Sequence, residues 1–179
     1  ISIVTPSYNQ AQFLEETILS VLDQNYPNLE YIIIDGNSTD GSVDIIKKYA
    51  DRLAYWVSGP DSGQSDAINK GFERATGEIL AWINSDDVYY PGVFRQIAYY
   101  FSIYPDTDLI FGFHDDIDSA GRVLRKGTYF PFVSHAFARG WAQICQPTAF
   151  WKRDVWLKCG PLDIALYYSM DYDFFYKVY

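Results

Sequence analysis

The stretch Glu78-Ile-Leu-Ala-Trp-Ile-Asn-Ser-Asp-Asp-Val-Tyr-Tyr-Pro-Gly92 decides the fold that this sequence predicts. Residues 79–83 form an apolar run with β-branched and aromatic members, which indicates a short buried strand. Asp86 and Asp87 come directly after this run, and the Pro-Gly pair then makes a turn that leads into a helix. Ligands of open α/β sheets bind beyond the carboxyl ends of the strands, so we expect both carboxylates at the ligand-binding edge.

The adjacent carboxylates of Asp86 and Asp87 indicate a metal site. Two neighbouring like charges repel each other unless a cation neutralises them, and the next residues, Val88, Tyr89 and Tyr90, are not basic. Carboxylate oxygens are hard ligands that suit Mg²⁺ or Mn²⁺. A solvated acidic turn is the alternative, because Asp is common in turns for conformational reasons alone.

The first 105 residues alternate between strands and helices. Strand patterns occur at residues 1–4, 31–34, 53–58 and 79–83, and a helical apolar pattern follows each of them. The third of these helices is expected over residues 67–75, with Ser65 or Asp66 as its cap. Short links between alternating strands and helices predict a parallel sheet flanked by helices.

The alternation ends after Pro105. Residues 108–113 indicate a further strand, and residues 118–121 look like the turn of a small hairpin. Residues 128–160 are aromatic and show no assignable period, whereas residues 170–178 begin a helix. The predicted fold class is therefore α/β, with a mostly parallel, Rossmann-like central sheet and a small antiparallel hairpin after the acidic pair.

Composition narrows the class of partner. A formal net charge of −9 argues against nucleic acid or an anionic membrane surface as the main partner.

Two cysteines are too few for a disulfide scaffold, and no apolar run approaches the ~18 residues of a transmembrane helix. Because the chain opens at Ile1 without methionine and stops at Tyr179 inside an amphipathic run, we expect an excised part of a longer protein.

Two further polar clusters directly follow predicted strands. Thr5-Pro-Ser-Tyr8 either caps a helix or presents a hydroxyl and a ring to a nucleobase. Asp35-Gly-Asn-Ser-Thr-Asp-Gly41 either caps a helix or places Asp35 against a base or ribose. Each cluster is weak evidence alone, but their occurrence after successive strands favours a shared binding edge.

The ordered series of motifs resembles the nucleotide-sugar-dependent, inverting glycosyltransferases of family 2, in their bacterial form, which have the GT-A fold. The resemblance covers nearly the whole chain. The matching segments are Ser2-Ile-Val-Thr-Pro-Ser-Tyr-Asn9, Ile34-Asp-Gly-Asn-Ser-Thr-Asp-Gly41, Gly63-Gln-Ser-Asp-Ala-Ile-Asn-Lys-Gly71, Ala75-Thr-Gly-Glu78, Asn84-Ser-Asp-Asp87 and Met170-Asp-Tyr-Asp173.

The resemblance implies a role for seven residues. On the donor side, Thr5 and Tyr8 would line the nucleobase pocket, Asp35 would contact the base or ribose, and Asp66 would contact the nucleoside. The remaining roles concern the metal and the chemistry: Asp86 would face the ribose or the metal, Asp87 would bind the Mn²⁺ or Mg²⁺ ion, and Asp171 would be the general base.

Three positions depart from the family pattern. Many relatives carry two adjacent acidic residues where this chain has Asp35-Gly36, so the contact with the base need not lie on Asp35. Many also carry an acidic residue where this chain has Asn84, which leaves Asp86 and Asp87 to hold the metal. Met170 replaces a common Glu.

The resemblance implies a hexosyltransferase of polysaccharide or cell-surface glycan synthesis. Its donor would be a UDP-sugar and its acceptor a glycan or a lipid-linked molecule. Residues 1–105 would form the nucleotide-sugar-binding half of one catalytic domain, and residues 106–179 the acceptor-side half. We expect a cytoplasmic location, with attachment to the inner face of the plasma membrane left open.

Two other functions are weighed against this one. A sugar nucleotidyltransferase would need a Gly-rich basic loop after the first strand, and residues 5–10 contain neither glycine nor a basic residue. A catalytically silent carbohydrate- or nucleotide-binding module would not require both Asp87 and Asp171. The presence of both carboxylates favours the enzyme.

Overall fold

The computed structural model describes residues 1–128 and 144–179 together with Phe137. Within these residues the strands are β1 (Ser2–Ser7), β2 (Glu30–Asp35), β3 (Tyr55–Ser58), β4 (Ile79–Trp82), β5 (Leu109–Ile110), β6 (Asp116–Ile117), β7 (Val123–Arg125) and β8 (Phe150–Lys152). The α-helices are α1 (Ala11–Leu22), α2 (Ser42–Lys48), α3 (Gln64–Phe72), α4 (Val93–Ile103), α5 (Arg153–Cys159) and α6 (Met170–Val178). Two short 3₁₀ turns lie at Ala50–Arg52 and Gln146–Thr148.

A six-stranded sheet in the order β3-β2-β1-β4-β8-β5 forms the centre of the molecule. The first four of these strands are parallel to one another, and β8 is antiparallel to both of its neighbours. Strands β6 and β7 form a separate antiparallel pair. The predicted fold, a mostly parallel sheet with a small hairpin after the acidic pair, is thereby confirmed.

Helices cover both faces of the sheet because successive strand residues point to opposite sides. On one face, Val4 and Trp82 pack with apolar residues of α3 and α6, such as Phe72 and Phe174. On the other face, Ile3, Ile33 and Ala81 pack with apolar residues of α1, α2 and α4. Both faces of the parallel strands are therefore buried, which explains their almost continuous apolar runs.

The predicted start of α3 was wrong. The helix begins at Gln64 and not at Ala67, so Ser65 and Asp66 lie in its first turn and do not cap it. The residue before the helix is Gly63, whose φ of +104° is readily adopted only by glycine. The carboxylate of Asp66 instead accepts a hydrogen bond from the Ser62 backbone N–H at 2.8 Å, which fixes the approach to the helix.

Candidate functional site

The carboxyl ends of the four parallel strands lie along one edge of the sheet. The register pairs Ser7 of β1 with Asp35 of β2, and Asp35 with Ser58 of β3. Strand β4 ends at Trp82, shortly before the acidic pair. The edge predicted from the sequence is therefore the place where the polar clusters converge.

Asp35 is the buried centre of this edge. Its side chain is fully buried and accepts hydrogen bonds from the Ser7, Ser38 and Ser58 hydroxyls at 3.1, 2.6 and 2.6 Å. It also accepts one from the Ser38 backbone N–H at 2.9 Å. Four donors satisfy the carboxylate, so Asp35 ties together the segments that follow β1, β2 and β3.

The other two residues predicted near the base differ in exposure. Thr5 is fully buried, and its hydroxyl shares a hydrogen bond of 3.0 Å with the Tyr31 hydroxyl. The side chain of Tyr8 is 65% exposed at the end of β1. The Tyr8 ring is therefore accessible from solvent, whereas Thr5 lies inside the fold.

Asp66 is engaged within its own segment. Besides the Ser62 backbone N–H, its carboxylate contacts the Lys70 ammonium at 2.9 Å, one turn further along α3. These contacts, with the hydrogen bond from Lys70 as the larger cause, hold the pKa of Asp66 below its usual value. Asp66 thus shapes the loop between β3 and α3.

The acidic pair combines an exposed and a half-buried carboxylate. Asp86 is exposed, and within the described ranges its one hydrogen bond is a long one of 3.5 Å from the Gln10 amide. Burial, followed by repulsion from Asp86, raises the pKa of Asp87 to about 6. Among the described residues neither carboxylate forms an ion pair with Lys or Arg. The negative charge is therefore left for a ligand or a cation to neutralise.

A chain of side-chain amides connects Asp87 to the far side of the edge. The Asn84 amide donates to Asp87 Oδ2 at 3.1 Å and to Gln146 Oε1 at 3.2 Å. Gln64 donates to Asn84 Oδ1 at 2.6 Å, and Gln146 donates to the Trp82 carbonyl at 2.8 Å. Asn84 thus sets the orientation of the Asp87 carboxylate.

A cavity of about 190 Å³ joins this amide chain to the end of the sequence. Its lining residues are Gln64, Trp82, Asn84, Gln146, Tyr167, Tyr168, Met170 and Asp171. Drug-sized ligands usually fill about 300–1,000 Å³, so the cavity accommodates one ring-sized part of a larger ligand. The sequence did not single out Gln64 or Trp82 as lining residues, because only the tertiary fold brings them next to α6.

Asp171 lies in the first turn of α6 and is half-buried. Its Oδ1 accepts a hydrogen bond from the Tyr172 backbone N–H at 2.8 Å. Tyr167 and Tyr168, on the preceding loop, are largely exposed and line the same cavity. The predicted base therefore faces the cavity that Asn84 also lines.

Cys145 is a half-buried free thiol. Burial, followed by the negative charges of Asp87, Asp116 and Asp171, raises the pKa of this thiol to about 11. Cys145 stays a neutral thiol and contributes no nucleophile at neutral pH.

The donor set of the acidic pair fits a divalent ion that is shared with a ligand. In the part of the chain that the structure describes, no group of three or more His, Cys, Asp or Glu residues could hold a metal alone. Mg²⁺ typically binds through one or two carboxylates together with substrate phosphates and water. Asp86 and Asp87 supply that number of carboxylates, at the ligand-binding edge predicted from the sequence.

The described helices include none that is both long and apolar enough to cross a membrane.

A family model and a curated relative match this chain. The model described as Glycosyl transferase family 2 matches residues 2–155. Over 90 residues the chain is 43% identical to the putative teichuronic acid biosynthesis glycosyltransferase TuaG of Bacillus subtilis (strain 168), a match that covers 49% of this chain and 36% of that protein.

Solved structures share the fold over almost the entire chain. TarS of S. aureus in complex with UDP superimposes with a TM-score of 0.78 at 21% identity, covering 99% of this chain and 54% of that one. The mannosyltransferase PcManGT of Pyrobaculum calidifontis in complex with GDP-Man and Mn²⁺ gives 0.69 at 22% identity, covering 96% and 49%. The predicted GT-A fold is confirmed. This chain spans about half the length of the two solved chains.

Proposed function

Because this chain belongs to glycosyl transferase family 2, we propose that it transfers a sugar from a nucleoside diphosphate to a hydroxyl acceptor with inversion. The observation that carries this proposal is the cavity that Asn84 and Asp171 line together, because Asn84 also donates a hydrogen bond to Asp87. One connected site would thus combine the Asp171 carboxylate, suited to the acceptor, with the Asp87 carboxylate, suited to the diphosphate. A UDP-sugar is the proposed donor.

The nucleoside would bind at the edge formed by the segments after β1, β2 and β3. Tyr8 offers an exposed ring on which a base can stack. Asp35 and Asp66 were expected from the sequence to contact the nucleoside. In the proposal they would instead fix the loops that face it, through the bonds to the serine hydroxyls and to the Ser62 backbone. Residues 1–105 would thereby supply the donor half of the site, and residues 106–179 the acceptor half.

Asp86 and Asp87 would hold a Mn²⁺ or Mg²⁺ ion at the diphosphate. The chemistry that such an ion supplies is neutralisation of the charge on the leaving nucleoside diphosphate. Asp87 suits this task with a carboxylate that is oriented by Asn84 and, among the described residues, forms no ion pair with Lys or Arg. The exposed Asp86 would face the ribose or the same ion.

Asp171 would act as the general base. It would take the proton from the acceptor hydroxyl while that oxygen forms a bond to the anomeric carbon and the nucleoside diphosphate leaves from the opposite side. One direct displacement of this kind inverts the anomeric configuration. Support comes from the position of Asp171 in the wall of the cavity that Asn84, the hydrogen-bond donor to Asp87, also lines.

The acceptor would be a glycan or a lipid-linked molecule of polysaccharide synthesis. The TuaG relative is described as a teichuronic acid biosynthesis glycosyltransferase, which supports this class of acceptor. From the sequence, residues 128–170 are expected to read the acceptor; within that range residues 129–136 and 138–143 lie outside the described part. A cytoplasmic location beside the plasma membrane belongs to the proposal, and cell fractionation tests it.

The test of the proposal is a calorimetric titration of the intact protein with UDP, in the presence of Mn²⁺ and again with EDTA. We expect clearly tighter binding with Mn²⁺, and we expect Asp87→Ala to remove most of that gain. Equal affinity under both conditions would contradict the proposal. Metal-dependent binding without any release of UDP from UDP-sugars would instead indicate a silent binding module.

A further inference from the structure

We propose that Asp61, whose carboxylate lies beside Gly36, reads the nucleobase of the donor and selects uracil. This inference rests on the proposed function, because it assigns a specificity-determining residue to the same donor site. It concerns a residue that the sequence motifs did not single out.

The first observation is the space above Gly36. A Cβ atom built on Gly36 would lie 2.9 Å from Asp61 Oδ2, 3.3 Å from Asp61 Cγ and 3.2 Å from Tyr8 Cδ2. The backbone of Gly36 is not in the left-handed region, so conformation alone does not require glycine there. The Asp61 carboxylate therefore occupies the place where an acidic side chain at position 36 would begin.

The second observation is that one carboxylate oxygen of Asp61 is fixed by a hydrogen bond and the other has no hydrogen-bond donor among the described residues. Its Oδ1 accepts a hydrogen bond from the Gly63 backbone N–H at 2.9 Å. Its Oδ2 accepts no hydrogen bond from any residue in the described ranges 1–128, 137 and 144–179. Asp66, the other carboxylate of this loop, is already engaged with Ser62 and Lys70. Asp61 is thus the acceptor that remains free beside the Tyr8 ring.

The chemistry of one free carboxylate oxygen favours uracil. A carboxylate is purely an acceptor, so it needs an N–H on the edge of the base. Uracil offers a single N3–H, and a hydrogen bond from it to a charged oxygen is strong. Cytosine has a lone pair at N3 that the carboxylate repels. Guanine presents two adjacent donors, which would require both oxygens, although Gly63 already holds Oδ1.

The geometry also predicts how the base is held. The Tyr8 ring is exposed and lies in contact with the same point above Gly36 as the Asp61 carboxylate. A base that stacks on this ring would bring its edge to Asp61 Oδ2. The glycine at position 36 makes room for this arrangement, because any larger residue there would displace the carboxylate.

The experiment is calorimetric titration of the intact protein with UDP, CDP and GDP, always with Mn²⁺ present. Asp61→Asn keeps the size of the side chain but can donate to cytosine N3 as well as accept from uracil N3–H. We expect this variant to bind UDP about tenfold to a hundredfold more weakly, the equivalent of one hydrogen bond to a charged group. The preference for UDP over CDP should shrink by at least the same factor.

Two further variants separate base reading from loop structure. Asp163→Asn is a matched control, since Asp163 is exposed and likewise accepts a hydrogen bond from the backbone N–H two residues later, at 2.9 Å. The affinities of this variant for UDP, CDP and GDP should equal those of the parent. The double variant Gly36→Asp with Asp61→Ala moves the carboxylate to the other side of the same space. Recovery of the preference for UDP over CDP in this variant supports the proposal.

Three results would overturn it. Asp61→Asn could leave the ratio of UDP to CDP affinity unchanged, or it could weaken all three nucleotides equally, as a purely structural residue would. A parent protein that binds GDP more tightly than UDP would also overturn the selection of uracil. These outcomes still leave metal-dependent nucleotide binding intact, whereas a parent that binds no nucleotide contradicts the proposed function itself.

Discussion

Replacing Asp87 by Asn should stabilise the metal-free protein at neutral pH. Burial and the charge of Asp86 raise the pKa of Asp87 from 3.8 to about 6, so ionisation costs the folded state free energy. A shift of about 2 units corresponds to about 3 kcal/mol above pH 7, at about 1.36 kcal/mol per unit. Asn has nearly the same shape without the charge, so the variant should gain up to about 3 kcal/mol in free energy of unfolding.

The gain in free energy of unfolding that Asp87→Asn brings should become smaller as the pH falls. Because the pKa of Asp87 is higher in the folded than in the unfolded protein, the parent becomes more stable as the pH falls through 6. This stabilisation is complete only below about pH 4, where the unfolded protein also takes up the proton. At pH 4.5 the difference between variant and parent should have fallen to about 1 kcal/mol.

The assay is urea unfolding of parent and variant in EDTA at pH 7.5 and at pH 4.5. Glu73→Gln serves as the control, because Glu73 is exposed and its replacement should leave the free energy of unfolding unchanged at both values. A variant that is no more stable than the parent at pH 7.5 would refute the reasoning. So would a difference that does not depend on pH.

Two further changes test the roles of neighbouring residues. Asp35→Ala should lower the free energy of unfolding by more than about 3 kcal/mol, because three serine hydroxyls would lose the buried carboxylate that accepts their hydrogen bonds. The control Asp51→Ala, at an exposed residue, should have little effect in the same unfolding assay. Asn84→Asp replaces the amide donor to Asp87 by a third carboxylate. It should therefore lower the melting temperature in EDTA and raise the affinity for Mn²⁺ in a calorimetric titration. Weaker Mn²⁺ binding would show that Asn84 is needed as a donor.

The parallel part of the sheet could be predicted from the sequence because its signals are local. Each of β1 to β4 is an apolar run ending in turn residues, and the chain reaches the next strand through a helix with an apolar face. The confirmed family resemblance rests on the same segments. The ligand-binding edge then follows from parallel geometry, since successive strands must end on the same side.

The length of β5 and the existence of β8 were beyond this kind of inference. The strand expected at residues 108–113 is only two residues long, Leu109–Ile110, and β8 has three residues inside the aromatic region without a period. Both depend on antiparallel pairing with partners far away in the sequence, such as Leu80 with Trp151. Period-2 patterns carry no information in segments this short.

The site was predictable in its residue types and less so in its contacts. The sequence indicated the clusters that contain Asp35, Asp87 and Asp171; in the structure Asp171 lines a cavity together with Asn84, which donates a hydrogen bond to Asp87. It could not indicate that Asp35 is fully buried and satisfied by serine hydroxyls, or that Asp61 lies over Gly36. Such relations depend on which loops meet across neighbouring strands, and no local pattern encodes them.

The central claim is tested most directly by release of UDP from a set of UDP-sugars, measured on the intact protein and on Asp171→Asn with and without Mn²⁺. The parent protein should release UDP at a rate that depends on Mn²⁺. Loss of a positioned base should lower this rate by about 10²–10⁴-fold in Asp171→Asn, with the affinity for UDP almost unchanged. A variant that turns over at the parental rate, or a parent whose activity is indifferent to Mn²⁺, would contradict the account.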